Sequence, residues 1–245
     1  MSGHSKWATT KRAKFATDAK RSVVFTKLAN MITVAVRTGG GGDPEMNFKL
    51  RLAVDKAHSA SMPKENIERS IKRGLGEGGG AHIEEVIYEG LLPLKSVGQG
   101  AAFIIETLTD NRNRTVSDLR STLTKHGGRL VSAGSMIYLF DQVAQLYVLK
   151  SSNQLAKDEI ELIIIDSGAD DYHDDNDGYF IYSKVEELKN IKTTLEQAGL
   201  NVESAEIVYK PKISLELSAE DGEKVGKLMD TLDDLGDVKE IYTNA

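Results

Sequence analysis

The chain has 245 residues, 40% of them hydrophobic, and a formal charge of -6. It has no cysteine, which excludes disulfides, thiolate catalysis and thiolate zinc sites, and no apolar run approaches the roughly 20 residues of a membrane helix. The length suits two or three domains, and the charge is unevenly shared: residues 1–77 hold 15 Lys/Arg against 7 Asp/Glu, a net of +8, while the remainder carries −14.

In chain order, the first 37 residues come as a basic arm. Lys6, Lys11, Arg12, Lys14, Lys20, Arg21, Lys27 and Arg37 face a single acid, Asp18. The arm lacks an apolar signal core and is rich in Lys rather than in Arg and Ser, so it reads as a mature cytoplasmic start. Residues 17–73 read as three helices. Phe25, Leu28, Ile32 and Val36 form one apolar stripe, with Lys20 and Lys27 expected on the opposite side. Gly39 to Gly42 stop that helix. Met46, Leu50, Ala53, Val54 and Ala57 form a second stripe. Pro63 suits the first turn of a third helix, with Glu65 and Glu68 near its start and Lys72 and Arg73 near its end, as the macrodipole favours.

Beyond residue 80 the pattern changes. Strands are expected at 83–90 and 101–108. Thr115 and Asp118 form a capping box that opens a helix with the stripe Val116, Leu119 and Leu123, ended by Gly127 and Gly128. Residues 136–149 read as a hairpin, 155–166 as a helix burying Ile160, Ile163 and Ile164, and 179–182 as a strand. Ser183 and Glu186 form a second box, before a helix that Gly199 ends and a strand at 202–209. Ile213, Leu215 and Leu217 alternate like a strand. Ser218 and Asp221 open the last helix, and Val238 to Tyr242 complete a βαβ unit.

Residues 83–127 and the final 35 residues each supply two strands and one helix, too little to close a core alone. Together they make a four-stranded sheet with two helices on one face. The expected class is therefore α+β: a helical bundle over 1–77, a ferredoxin-like split domain from 78–133 plus 208–245, and an inserted α+β domain at 134–207.

A basic arm on an acidic body is an electrostatic footprint for a polyanion, and nucleic acid is the commonest. Lys6, Lys11, Arg12, Lys14, Lys20, Arg21 and Lys27 are the expected phosphate contacts. Trp7, the one tryptophan, lies among the cations; it either stacks on a base, as single strands and RNA allow, or anchors the arm in the fold. Asp110-Asn111-Arg112-Asn113-Arg114-Thr115 sits at a strand-to-helix turn. Caps and turns account for its Asp, Asn and Thr, but cations oppose the macrodipole at a helix start, and a phosphate bound there would relieve Arg112 and Arg114.

Other motifs read as architecture. Gly74-x-Gly76-x-x-Gly79 follows a helix and precedes a strand, the reverse of a dinucleotide fingerprint, so it reads as a flexible linker. The acidic run from Asp170 to Asp177 fails the EF-hand pattern: aligned on Gly178, the first ligand would be His173 and the last Lys184. No metal site is expected. The five histidines have no partner at a recognisable spacing, and the chain carries no catalytic motif.

Gly3-His4-Ser5-Lys6-Trp7, Asp18-Ala19-Lys20-Arg21, Phe25-Thr26-Lys27-Leu28, Gly41-Gly42-Asp43-Pro44-Glu45, Met62 to Arg69, Tyr88-Glu89-Gly90, Leu108 to Thr115 and Lys125-His126-Gly127-Gly128 together resemble the YebC/PmpR-type family over the full length. That family includes bacterial proteins labelled transcriptional regulators and a mitochondrial translational activator. The resemblance implies a helical bundle followed by two α+β domains, the third inserted in the second. It also implies no enzymatic activity, no cofactor and no small-molecule substrate, with cytoplasmic nucleic-acid binding away from membranes. Some members are described as binding promoter DNA. Others look like ribosome-associated factors that aid translation through proline-rich stretches, for which ribosomal or transfer RNA would be the partner. One departure is the loop from Leu91 to Gly100, longer and more apolar than the Gly-rich loop common in relatives.

Overall fold

The computed structural model describes residues 18–77, 82–95, 98, 100–151 and 155–245, with side chains from Arg21 onward. The fold is α+β. Its helices are α1 (Asp18–Thr38), α2 (Phe48–Ser59), α3 (Lys64–Gly74), α4 (Arg112–Lys125), α5 (Lys157–Asp166), α6 (Leu188–Gln197) and α7 (Ala219–Asp233). Its strands are β1 (Glu84–Pro93), β2 (Gly100–Thr109), β3 (Arg129–Val131), β4 (Phe140–Leu149), β5 (Asp171–Asp174), β6 (Gly178–Ser183), β7 (Val202–Pro211) and β8 (Val238–Thr243). They form two four-stranded sheets, ordered β3-β1-β2-β8 and β5-β6-β4-β7. Among the described residues no helix is long and apolar enough to cross a membrane.

The chain divides into two compact units. The first takes the described residues up to Asp141 together with Pro211–Ala245. It contains the bundle and the first sheet. In the bundle, Leu28, Ile32 and Val36 of α1 pack with Leu50, Ala53 and Ala57 of α2 and with Ile67 of α3. Asn47 caps α2 by accepting from Leu50 N at 3.0 Å, and its amide donates to Ala35 O and Gly41 O. The cap starts the helix at Phe48, so Met46 falls in the preceding turn, 82% exposed, and not on the expected stripe.

Strand β2 is buried almost throughout, because both faces of its sheet are covered. Phe103 and Ile105 face Leu119 and Leu123 of α4 and Val225, Leu228, Met229 and Leu232 of α7. On the opposite face, Leu108 meets Val34 of α1 and Ile83. Successive strand residues point to opposite faces, so two covered faces demand an unbroken apolar run.

Several expectations change here. Residues 213–217 form no strand. Leu215 and Leu217 do pack on the core while Ile213 is 77% exposed, but of the backbone groups only Leu215 N finds the neighbouring strand end, at Asn244 O. The fourth strand is instead β3, three residues paired to β1. The expected hairpin at 136–149 is a 3₁₀ turn (Ile137–Leu139) running into β4. Buried Glu89 holds that turn, accepting from Gly134 N, Met136 N and Ile137 N. Helix α4 starts three residues before Thr115, capped by Asn111. Ser183 caps nothing; a 3₁₀ turn at Val185–Glu187 leads into α6.

The second unit is Gln142–Lys210. Strand β6 is central, paired antiparallel with β4 and β5. Tyr147 and Phe180 pack in its core with tilted rings, centroids 4.6 Å apart. Ile160 and Ile164 of α5 and Leu188, Ile191 and Leu195 of α6 are buried.

Candidate nucleic-acid interface

Helix α1 has an unusual composition. From Lys20 to Gly42 the sequence holds no Asp or Glu and four Lys/Arg. Helix α3 packs along it in a fixed register. Thr33 Oγ1 donates to Ser70 O at 3.2 Å, and Gly74 lies on Val36. A Cβ at Gly74 would fall 2.6 Å from Val36 Cβ and 2.9 Å from Thr33 O, so this position is a close approach between helices, not the expected linker.

Between the two helices runs a groove of about 550 Å³, lined by Arg21, Ser22, Phe25, Thr26, Ala29 and Asn30 of α1, by Met62, and by Asn66, Arg69, Ser70 and Arg73 of α3. Three arginines line it, and among the described residues no carboxylate does. The Arg73 side chain donates to Thr33 Oγ1 at 3.0 Å, to Ala29 O at 3.2 Å and to Asn30 Oδ1 at 2.9 Å. All three acceptors are neutral. Burial, and then the nearby Arg37 charge, lower the Arg73 pKa from its ordinary value. Arg37 Nη1 is itself buried with no hydrogen-bond partner among the described residues. Two cations held close without a carboxylate are electrostatically unsatisfied, and an anion would satisfy them.

The expected contacts are dispersed by the structure. Lys6, Trp7, Lys11, Arg12 and Lys14 lie outside the described residues, and Lys20 sits in α1 with its side chain undescribed. Arg21 lines the groove. Lys27 does not project into solvent. Its side chain is 11% exposed and bonds the carboxylate of Asp233 at 3.0 Å and the Asp233 carbonyl, at the favourable C-terminal end of α7.

Arg112 and Arg114 have protein partners. Arg112 makes a fork to Glu84 at 2.5 and 2.6 Å. Arg114 makes another to Asp237, donating from Nη2 at 2.7 Å and from Nε at 3.2 Å, and reaches Asp110 at 2.9 Å. Carboxylates therefore relieve the cations at this helix start, where a phosphate was expected. A small cavity of about 180 Å³ beside Arg114 is lined by Asp118 and Asp237, which disfavours an anion. Asp237 also accepts from the buried Thr115 hydroxyl at 2.7 Å, tying β8 to α4. Among the described residues no group of His, Cys, Asp or Glu could hold a metal ion, and Asp174 of the acidic run is paired with Lys150 and Lys157.

Arg69 and Arg73 line the groove but were not among the expected contacts. Arg73, with Lys72, read as a complement to the helix macrodipole. The available signal was the acid-free stretch from Lys20 to Gly42, most of it in α1, which offers a helix packed on it no counter-charge.

Comparison with known proteins agrees with the fold. Residues 5–77 match the family model described as the TACO1/YebC protein N-terminal domain, and residues 83–245 match the TACO1/YebC second and third domain. A "Probable transcriptional regulatory protein" of Bifidobacterium animalis is 46% identical over 245 residues, covering 100% of this chain and 94% of that one. A relative of the same description from Thermoanaerobacter pseudethanolicus is 43% identical over 244 residues, with coverage of 100% and 96%. The crystal structure of a conserved hypothetical protein, Aq1575, from Aquifex aeolicus superposes with a TM-score of 0.83 at 40% identity, covering 93% of this chain and 90% of that one. Matched along both its helical and its α+β parts, the chain belongs to the TACO1/YebC family.

Proposed function

We propose that this protein is a non-enzymatic, nucleic-acid-binding regulator of gene expression acting in the cytoplasm, with DNA as its target. The observation that carries the reading is the α1–α3 groove, where Arg69 and Arg73 stand with no ion-pair partner among the described residues. Phosphate is the anion such a surface suits, since guanidinium forks match its oxygens. The arm joins α1 just before Arg21, so Lys6, Lys11, Arg12, Lys14 and Lys20 extend the same basic stretch along the chain, with Trp7 as a stacking residue. The relatives' description as transcriptional regulators supports the same reading. Arg112 and Arg114, 62% and 47% exposed, join the contact only by exchanging their carboxylates for phosphate.

A second reading has RNA as the target, in a ribosome-associated factor that aids synthesis of proline-rich stretches. Phe25 on the groove wall supports it: the arginines grip phosphate without carrying sequence information, and the ring offers a stacking face to an unpaired base. Footprinting and sedimentation separate the two. Protection of a defined promoter at physiological salt supports the DNA reading. Co-sedimentation with ribosomes, lost when Lys11, Arg12, Lys14 and Arg69 are changed to Glu, supports the RNA reading. Neither result, with both assays working on a control, sinks both.

A further inference from the structure

We propose that the α1–α3 groove takes a single-stranded segment, with one unstacked base against Phe25 and the adjoining phosphates on Arg69 and Arg73. The inference rests on the nucleic-acid reading above and narrows it at this groove to an unpaired strand, RNA or locally opened DNA, leaving duplex contacts to the basic arm.

Shape comes first. The groove, about 550 Å³, is a shallow trough open to solvent, with room for one splayed base and its phosphates. A duplex is read by elements that protrude into its grooves, and its bases stay stacked away from a concave surface. An unpaired base can be splayed out and enter.

Chemistry follows the same division. Phe25 packs one side on the bundle core and lines the groove with the other. Its ring is a platform for a base, and every base has a π-face. Asn66 stands on the wall, its side chain making no hydrogen bond within the described residues, so its amide offers a donor and an acceptor to a base edge. The cations are placed for a backbone. Arg73 spends its donors on neutral acceptors, and Arg69 is exposed with no ion-pair partner among the described residues. The groove thus offers a stacking surface, a reader of polar edges and two uncompensated charges side by side.

The test uses the full chain and fluorescence anisotropy with a labelled single-stranded RNA, a single-stranded DNA and a blunt duplex of matched sequence. The wild type is expected to bind at least one single strand about tenfold more tightly than the duplex. Phe25→Leu keeps an apolar side chain on the core. It should weaken single-strand binding about fivefold or more, the lower end of base–aromatic stacking, and leave duplex binding nearly unchanged. Asn66→Ala, on the groove wall, should show the same selectivity at smaller size and covers the case in which Phe25→Leu fails to fold. Preference for RNA over DNA would point to a contact with the 2′-hydroxyl; equal binding would leave phosphate, base and ring as the whole contact. Equal affinity for strand and duplex, or a folded pair of variants that bind single strands like the wild type, overturns this inference and leaves the nucleic-acid reading standing. Failure to bind any of the three probes in dilute buffer overturns both.

Discussion

Replacing Gly74 by Ala sets two effects of opposite sign against each other. The residue is helical and its φ is not positive, so Ala fits the backbone. On propensity alone, Ala should stabilise α3 by up to about 1 kcal/mol. Packing opposes this. The added methyl would sit 2.6 Å from Val36 Cβ, 2.9 Å from Val36 Cγ1 and 2.9 Å from Thr33 O. Carbon atoms rest comfortably about 3.5–4.0 Å apart, so α1 and α3 must separate by about 1 Å. A backbone carbonyl cannot rotate aside, and overpacking of this kind costs about 1–3 kcal/mol. The net is a loss of up to about 2 kcal/mol, a fall in Tm of up to about 8 °C for a chain of this size. The same separation pulls Arg73 from Thr33 and widens the groove, so nucleic-acid affinity falls with stability. Thermal melting followed by far-ultraviolet circular dichroism measures the first effect and anisotropy the second. A rise in Tm would refute the close approach.

Much of the bundle is readable in the sequence. Leu28, Ile32 and Val36 recur at helical spacing and are all buried. The failures share a cause: local patterns were satisfied by partners that only folding supplies. The alternation at 213–217 does sort Leu215 and Leu217 toward the core, yet alternation alone cannot provide a ladder. Thr115 is a good cap residue, but folding brings Asp237 and Thr109 to its hydroxyl and leaves the cap to Asn111. Lys27 looked like a solvent-facing cation because Asp233 lies 206 residues away. The groove escaped notice for the same reason. Arg73 belongs to one helix and the acid-free surface to another, and only their packing turns two ordinary patterns into an uncompensated charge.

Two further predictions concern the frame. Asp237→Asn removes the charge that joins Arg114, Thr115 and Thr109; allowing for solvent screening of the half-exposed Arg114, stability should fall by about 1–2 kcal/mol. Nucleic-acid affinity should stay nearly constant, as measured by melting and anisotropy side by side; a gain in affinity, from an Arg114 released to meet phosphate, would place Arg114 in the contact. Hydrogen bonds from Lys150 and then Lys157 hold the Asp174 pKa below its ordinary value. A depressed folded pKa contributes stability above the unfolded value, near 3.8, and loses it as pH falls through the folded one. Acid melts of a Lys150→Met, Lys157→Met variant should therefore show a shallower decline below about pH 4 than the wild type. Identical acid limbs would contradict the pairing.

The salt dependence of affinity bears most directly on the central claim, that cations of the arm and the α1–α3 groove hold nucleic-acid phosphates. Three groove arginines alone should give a log–log slope of about −2 on a single strand, steeper with the arm, and Arg69→Ala with Arg73→Ala should flatten it by about 1.4. A wild-type slope near zero, or a slope untouched by the double variant, would contradict the account.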